Sequence, residues 1–228
     1  MTETAPQVLI AGGGPAGLAA AVELGRRGIR VCLVEPRLTV DDDRPRAKTT
    51  SIRTMEHLRR WGLADRLRAV APLPVSWSQD VIFCTALLGT ELTRFRNAFG
   101  LYEGRGEQWA EPGQQIPQPL TERVLREAVA DLSSVTCLTG HTVTGVEQDA
   151  RAVRATVTAG DGLAHVIEAE YLLGCDGAGG VTREAIGAVY AGSSGERPNL
   201  SIVFRSPGLG RRIALDPAVQ GDPAAEAR

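Results

Sequence analysis

The sequence predicts an α/β fold organised on a parallel sheet, and three observations carry that expectation. A short apolar run, Gln7 to Ala11, meets a glycine-rich stretch. An apolar pattern at helical spacing comes next, and a second apolar run, Arg30 to Val34, comes after that. Strand, glycine turn, helix and strand in this order make a βαβ unit, whose strands are parallel and buried on both faces.

Each element has its own reason. The helix places Leu18, Ala21, Val22 and Gly25 on one face and carries Arg26 and Arg27 in its last turn. Cations there suit the negative end of the helix dipole, and Gly28 stands where a left-handed residue would stop the helix. The loop Gly12-Gly13-Gly14-Pro15-Ala16-Gly17 satisfies the pattern GxGxxG. Gly12 permits the tight turn out of the strand, Gly14 lets the backbone approach a pyrophosphate, and Gly17 lets helix and strand pack closely. Free amides and the positive dipole end at the helix start favour phosphate. Glu35 ends the second strand, where a carboxylate accepts hydrogen bonds from a ribose diol and repels a 2′-phosphate. The unit therefore reads as a dinucleotide site that disfavours NADP; its motif alone leaves FAD and NAD both open.

Composition narrows the classes around this unit. The chain has 228 residues, 43% hydrophobic and 23% charged, with a formal charge of -2. That is ordinary globular composition, with no excess of positive charge to recruit nucleic acid or an anionic membrane. Arg59, Arg60, Arg66 and Arg68 alternate with apolar positions and read as a solvated helix face. Cys32, Cys84, Cys137 and Cys175 are widely spaced, and His57, His141 and His165 lie near none of them, so no metal site is expected. Reduced thiols point to the cytoplasm. The start MTETAPQ has no basic residue and does not read as a signal peptide, and the glycines and Pro15 interrupt the only long apolar stretch.

A second constellation lies downstream. Tyr171-Leu172-Leu173-Gly174 reads as a strand that runs into the turn Cys175-Asp176-Gly177 and on to a helix start near Val181, Thr182 and Arg183. Alone, Asp176-Gly177 is a turn signal. With the glycine loop before it, the segment resembles the Asp-Gly motif of the flavoprotein aromatic hydroxylases, the para-hydroxybenzoate hydroxylase family. Arg183 fits the motif, whereas Gly180 stands where the family usually has a serine, with loss of a capping hydroxyl. The stretch Arg44-Pro45-Arg46-Ala47, followed by Arg53, Glu56, Leu58, Gly62-Leu63 and Leu67, resembles the segment in which an arginine reaches the flavin nucleotide. Gln118, Glu122 and Leu125, which open a helix through Ala130, resemble the family's Gln…Glu…Leu motif, where the glutamine contacts the cofactor near the ribityl chain. Thr142 to Glu147 and Val153 to Val157 alternate like strands of a β-meander. The resemblance places that meander over the adenine, with Val143 beside the base.

The resemblance implies a Rossmann-like FAD-binding domain, a parallel sheet with a βαβ unit and a β-meander, plus an incomplete β-sheet substrate domain. Residues 1-73 and 118-187 fall to the first, and residues 74-117 and 188-228 to the second. Val81-Ile82-Phe83 and Ile202-Val203-Phe204 are strand candidates of the second domain, and Trp61, Trp77 and Trp109 are expected to pack. The cofactor-binding set is Gly12, Gly13, Gly14, Pro15, Ala16, Gly17, Glu35, Arg44, Arg46, Gln118, Val143, Asp176 and Gly177. The resemblance further implies FAD, with NAD(P)H as co-substrate and O₂ as oxidant, and hydroxylation of an aromatic or polyketide-like small molecule. The flavin carries that chemistry, so no catalytic acid or base is nominated. The family's second Gly-Asp motif is absent, Gly221-Asp222 being only an echo of it, and residues 208-228 offer little to a core. The expectation is therefore a truncated chain, with a complementing C-terminal fragment as partner; the alternatives are a non-catalytic FAD-binding fragment or an inactive truncated remnant that binds no ligand.

Overall fold

The computed structural model describes residues 5–42, 46–77, 79–193, 195, 202 and 204–215. The chain opens with β1 (Val8–Ala11), α1 (Pro15–Gly25) and β2 (Val31–Glu35), the βαβ unit that the sequence predicts. Gly28 adopts φ +75° beyond α1. Its amide donates to the Gly25 carbonyl and that of Ile29 to Leu24, which closes the helix with a left-handed cap. After β3 (Thr49–Thr50) come two short helices, α2 (Ile52–Arg60) and α3 (Ala64–Val70). A hairpin of β4 (Val81–Cys84) and β5 (Glu91–Phe95) stands apart from the rest of the sheets, and β6 (Gln114–Gln115) pairs back onto β3. The chain continues through α4 (Gln118–Ala130), β7 (Val135–Thr139), β8 (His141–Gln148), β9 (Val153–Ala159), β10 (Ala164–Ala169) and β11 (Tyr171–Gly174). It ends, among the described residues, with α5 (Val181–Ala185) and α6 (Leu209–Leu215).

The central sheet is wholly parallel, in the order β11-β1-β2-β7. Alternation along each strand divides its side chains between two cores. On one face Val8, Ile10, Val31 and Leu33 pack against Leu18 and Val22 of α1, Met55 and Leu58 of α2, Leu67 of α3, and Val124, Leu125 and Val129 of α4. On the other, Leu9, Ala11, Cys32 and Val34 meet Val143, Val153, Ala155 and Val157 of the antiparallel meander β10-β9-β8. Helices, sheet and meander form three layers, and the carboxyl ends of β1, β2 and β11 emerge together at one edge.

Several expectations need amendment. β7 was not anticipated: its sequence, Val135-Thr136-Cys137-Leu138-Thr139, has no continuous apolar run. Trp77 is not a packing residue, being 78% exposed. Trp61 is buried and its indole donates to Glu23 Oε2 at 2.6 Å, and Trp109 stacks on Tyr102. Arg59, Arg60, Arg66 and Arg68 on α2 and α3 are not merely solvated. Arg59 and Arg68 pair with buried Glu111, Arg60 with Glu23 and Arg66 with Glu127, which ties the two helices to their surroundings. Val81–Cys84 is a strand as expected, but no strand is seen at Ile202 or Phe204, and Val203 and residues 216–228 lie outside the described residues. Residues 209–215 form a helix within the stretch expected to stay outside the core. Among the described residues, no helix is long and apolar enough to cross a membrane.

Candidate functional site

A cleft of about 500 Å³ opens where β1, β2 and β11 end. Ligands of parallel α/β sheets bind outside the carboxyl ends of strands, so this is the expected place. Its floor is the glycine loop. Gly12 turns the chain at φ +99°, and a Cβ there would lie 2.3 Å from the carbonyl oxygen of Cys175. The amide of Cys175 donates to Ala11 at 2.7 Å, so the turn after β11 is locked onto the turn after β1. A Cβ on Gly17 would lie 1.9 Å from the Gly12 carbonyl oxygen. Gly14 differs from both: a Cβ there would meet nothing within 4 Å. It caps α1, accepting the helix's first bond from Leu18, and it lines the cleft together with Pro15 and Ala16. The first amides of a helix have no intrahelical partner, so this rim suits phosphate oxygens.

Glu35 is 3% exposed, and the fold already uses it. Its Oε2 accepts the Gly13 amide at 2.7 Å, and its Oε1 accepts the backbone amide of Arg37 at 3.0 Å and Nε of Arg37 at 2.7 Å. Arg37 continues the network, donating through Nη2 to Glu122 Oε2 at 3.1 Å, while Gln118 Nε2 donates to Glu122 Oε1 at 2.8 Å. Arg126 Nη2 lies 3.7 Å from Glu35. Two buried carboxylates are thus balanced by two guanidiniums, and the repulsion of a 2′-phosphate expected from Glu35 alone is softened. Burial opposes the charge on Arg37, but its hydrogen bond to Glu35 and the charges of Glu35 and Glu122 hold its pKa above the usual value.

The opposite wall comes from Thr142 and Val143 of β8 and from Cys175, Asp176, Gly177, Gly179, Gly180 and Val181. Asp176 Oδ2 accepts the Thr182 amide at 3.0 Å, and Oδ1 accepts the Thr182 hydroxyl. Burial, and then the neighbouring Asp176 charge, push the Cys175 thiol above its ordinary pKa.

The cleft therefore gathers Gly12, Gly14, Pro15, Ala16, Glu35, Arg46, Gln118, Val143, Asp176 and Gly177. Gly13 and Gly17 support the loop from behind, and Arg44 lies outside the described residues. Arg37 and Thr182 escaped sequence reasoning. An arginine two residues beyond the strand-end acid was a visible signal for Arg37; a hydroxyl six residues past Asp176 was a weaker one for Thr182. A larger open groove of about 800 Å³ shares no lining residue with the cleft. Its buried polar groups are already matched, Glu111 by Arg68 at 2.7 Å and Gln114 by the Leu73 and Gln115 carbonyls, so it offers no comparable chemistry.

A model of the FAD binding domain family matches residues 5–217. The chain belongs to that family. Phenol 2-monooxygenase of Pseudomonas sp. (strain EST1001) is 31% identical, over 97% of this chain and 35% of that protein. The 2,4-dichlorophenol 6-monooxygenase of Delftia acidovorans is 31% identical, over 87% of this chain and 34% of that one. Among solved structures, the flavin-dependent monooxygenase PieE in complex with FAD and substrate superposes with a TM-score of 0.76 at 31% identity, covering 86% of this chain and 34% of that chain. This FAD binding domain spans about a third of the length of the relatives it matches. Family and geometry resolve the choice that the glycine loop alone left open, in favour of FAD. The open space at Gly14 and the helix start beside it fit a pyrophosphate-bearing cofactor.

Proposed function

We propose that this chain is the FAD-binding part of a flavoprotein monooxygenase that hydroxylates an aromatic or polyketide-like small molecule with NAD(P)H and O₂. One observation carries the reading: a single cleft unites the glycine loop, Glu35, Arg46, Gln118, Val143 and Asp176–Gly177, which come from distant stretches of chain. Relatives named for phenol, 2,4-dichlorophenol and anhydrotetracycline support the substrate class. In this reading the rim of Gly14, Pro15 and Ala16 receives the pyrophosphate and Glu35 the ribose beside it. Val143 flanks the adenine, Gln118 the ribityl chain, and Arg46 the flavin nucleotide. FAD supplies the redox chemistry when bound. The chain's own residues bind it, orient it and keep water from it, and none is assigned as an acid or base. Every lining residue of the cleft falls in 1–73 or 118–187, which supports assigning those ranges to the FAD domain and 74–117 and 188–228 to the substrate side. The four unpaired cysteines suit a reducing, cytoplasmic setting.

A second reading, an FAD-binding module that does not turn over by itself, is favoured by the open apolar side chains Ile82, Phe83, Leu92 and Phe95 on the β4–β5 hairpin. The purified chain should bind FAD stoichiometrically and turn yellow; failure to bind any flavin sinks both readings. Consumption of NADH or NADPH with O₂ by the loaded protein, with a panel of phenols, then separates enzyme from module.

A further inference from the structure

One residue holds the carboxylate at the Asp176 wall of the cleft. Both oxygens are taken by one residue, Thr182, through its amide at 3.0 Å and through its hydroxyl. Thr182 is buried, with 7% of its surface exposed. Two glycines leave the room for this pair. A Cβ on Gly180 would lie 2.0 to 2.3 Å from the three carboxylate atoms of Asp176. A Cβ on Gly174 would lie 2.3 Å from the Thr182 hydroxyl oxygen and 2.9 Å from its Cβ. Neither glycine needs a left-handed backbone, since positive φ in this segment belongs to Gly177. Gly174 and Gly180 are therefore explained by the side chains that they admit, not by the turn they occupy.

This arrangement also accounts for Gly180, which stands where the resemblance to the aromatic hydroxylases implies a serine. Gly180 contributes no capping hydroxyl to α5, but Asp176 accepts the helix amide of Thr182 in its stead. The Thr182 hydroxyl, held by a β-branched side chain with few rotamers, fixes the carboxylate in one orientation. Asp176 and Gly177 line the cleft, and Cys175 before them is bonded to Ala11 beneath the glycine loop. Whatever fixes Asp176 therefore fixes one wall of the cleft relative to its floor.

We propose that Thr182 is a positioning residue for the FAD site: its hydroxyl and amide clamp Asp176 and thereby set the Asp176–Gly177 wall. The proposal rests on the reading of the cleft as an FAD site. It is tested on the full chain by titration with FAD, followed by flavin fluorescence, with thermal unfolding of the flavin-free protein alongside. Loss of one hydrogen bond to a charged group predicts FAD affinity about tenfold weaker in Thr182→Val, which keeps the shape but removes the hydroxyl. Thr182→Ser restores the hydroxyl and should return affinity to within about twofold of wild type. Gly180→Ala attacks the same clamp from the other side, with Thr182 intact. It should weaken FAD binding as well, because its methyl group claims the carboxylate's space.

Rescue by serine is the result that a merely structural role for Thr182 would not give. Valine and serine variants equally weak, or valine and Gly180→Ala variants both binding like wild type, would overturn the proposal. If Thr182→Val fails to fold, the Gly180→Ala and Thr182→Ser titrations decide it. A wild-type chain that binds no FAD would overturn the site reading itself and this proposal with it, an outcome distinct from variants that match a flavin-binding wild type.

Discussion

Two glycine-rich turns face each other across the cleft, and glycine serves a different purpose in each. In the turn after β1, glycines allow backbone to meet backbone: Gly12 against Cys175, and Gly17 against Gly12. Around the turn after β11, Gly174 at the strand's end and Gly180 at the start of α5 make room for side chains, those of Thr182 and Asp176. Backbone cannot yield without moving a helix or a strand, whereas a carboxylate can rotate. The first turn is therefore a rigid floor; the second is anchored to it through the Cys175 amide, and the orientation of its Asp176 carboxylate rests on the bonds from Thr182.

The largest effect should come from breaking the floor. A Cβ on Gly17 would lie 1.9 Å from the Gly12 carbonyl oxygen, a backbone atom bound into the loop. Gly17→Ala should cost about 3 kcal/mol of stability, read as a fall in the urea midpoint, with the slope of the transition unchanged. An unaltered midpoint would mean that helix and loop can separate, and the contrast between floor and wall would collapse. Gly14→Ala should behave in the opposite way. Its φ of -73° suits alanine and its Cβ meets nothing, so stability should hold. FAD affinity should still fall roughly thirtyfold, about 2 kcal/mol, because the methyl group stands where the pyrophosphate must approach. Comparable affinity for both forms would remove the pyrophosphate from this rim.

The same contrast explains what was legible in the sequence. The floor was readable because its rules are local: an apolar run, glycines at fixed spacing, a helical period and an acid at the next strand end. Gln118 at the start of α4 and Asp176 after β11 had no such local rule; they were nominated only through the resemblance to the aromatic hydroxylases, and the fold brings both to the cleft. Arg37 was not, because its role arises only when Glu122, 85 residues away, is brought beside Glu35. Glu35 itself was identified, but not the fact that it braces the loop through the Gly13 amide. The substitution at Gly180 read as a lost cap. The fold shows that it accommodates Asp176, information that exists only once the side chains of the turn are placed. β7 and Trp77 failed from the opposite cause: two threonines break the short run Val135–Thr139, and an exposed indole has no local signature that separates it from a core residue.

Two thiols report on the two turns and supply a third test. Cys175 sits in the wall and Cys32 lies under the floor on β2, packed with Leu9, Ala11 and Val34. Burial, with a smaller contribution from Cys137, pushes the Cys32 thiol from 9.0 to about 11. Between these values the unfolded chain has lost the Cys32 proton and the folded chain still holds it. The folded state then binds more protons, so stability must fall as pH rises through that window, and be fully present below it. Roughly 2 kcal/mol of alkaline destabilisation should therefore trace to this thiol, measured as urea midpoints at pH 9 and pH 11. Cys32→Ala shifts both midpoints by a similar packing cost but should flatten the difference between them. A slope as steep in the variant as in the wild type would show that the floor admits hydroxide and solvent to Cys32, and that it is no more closed than the wall.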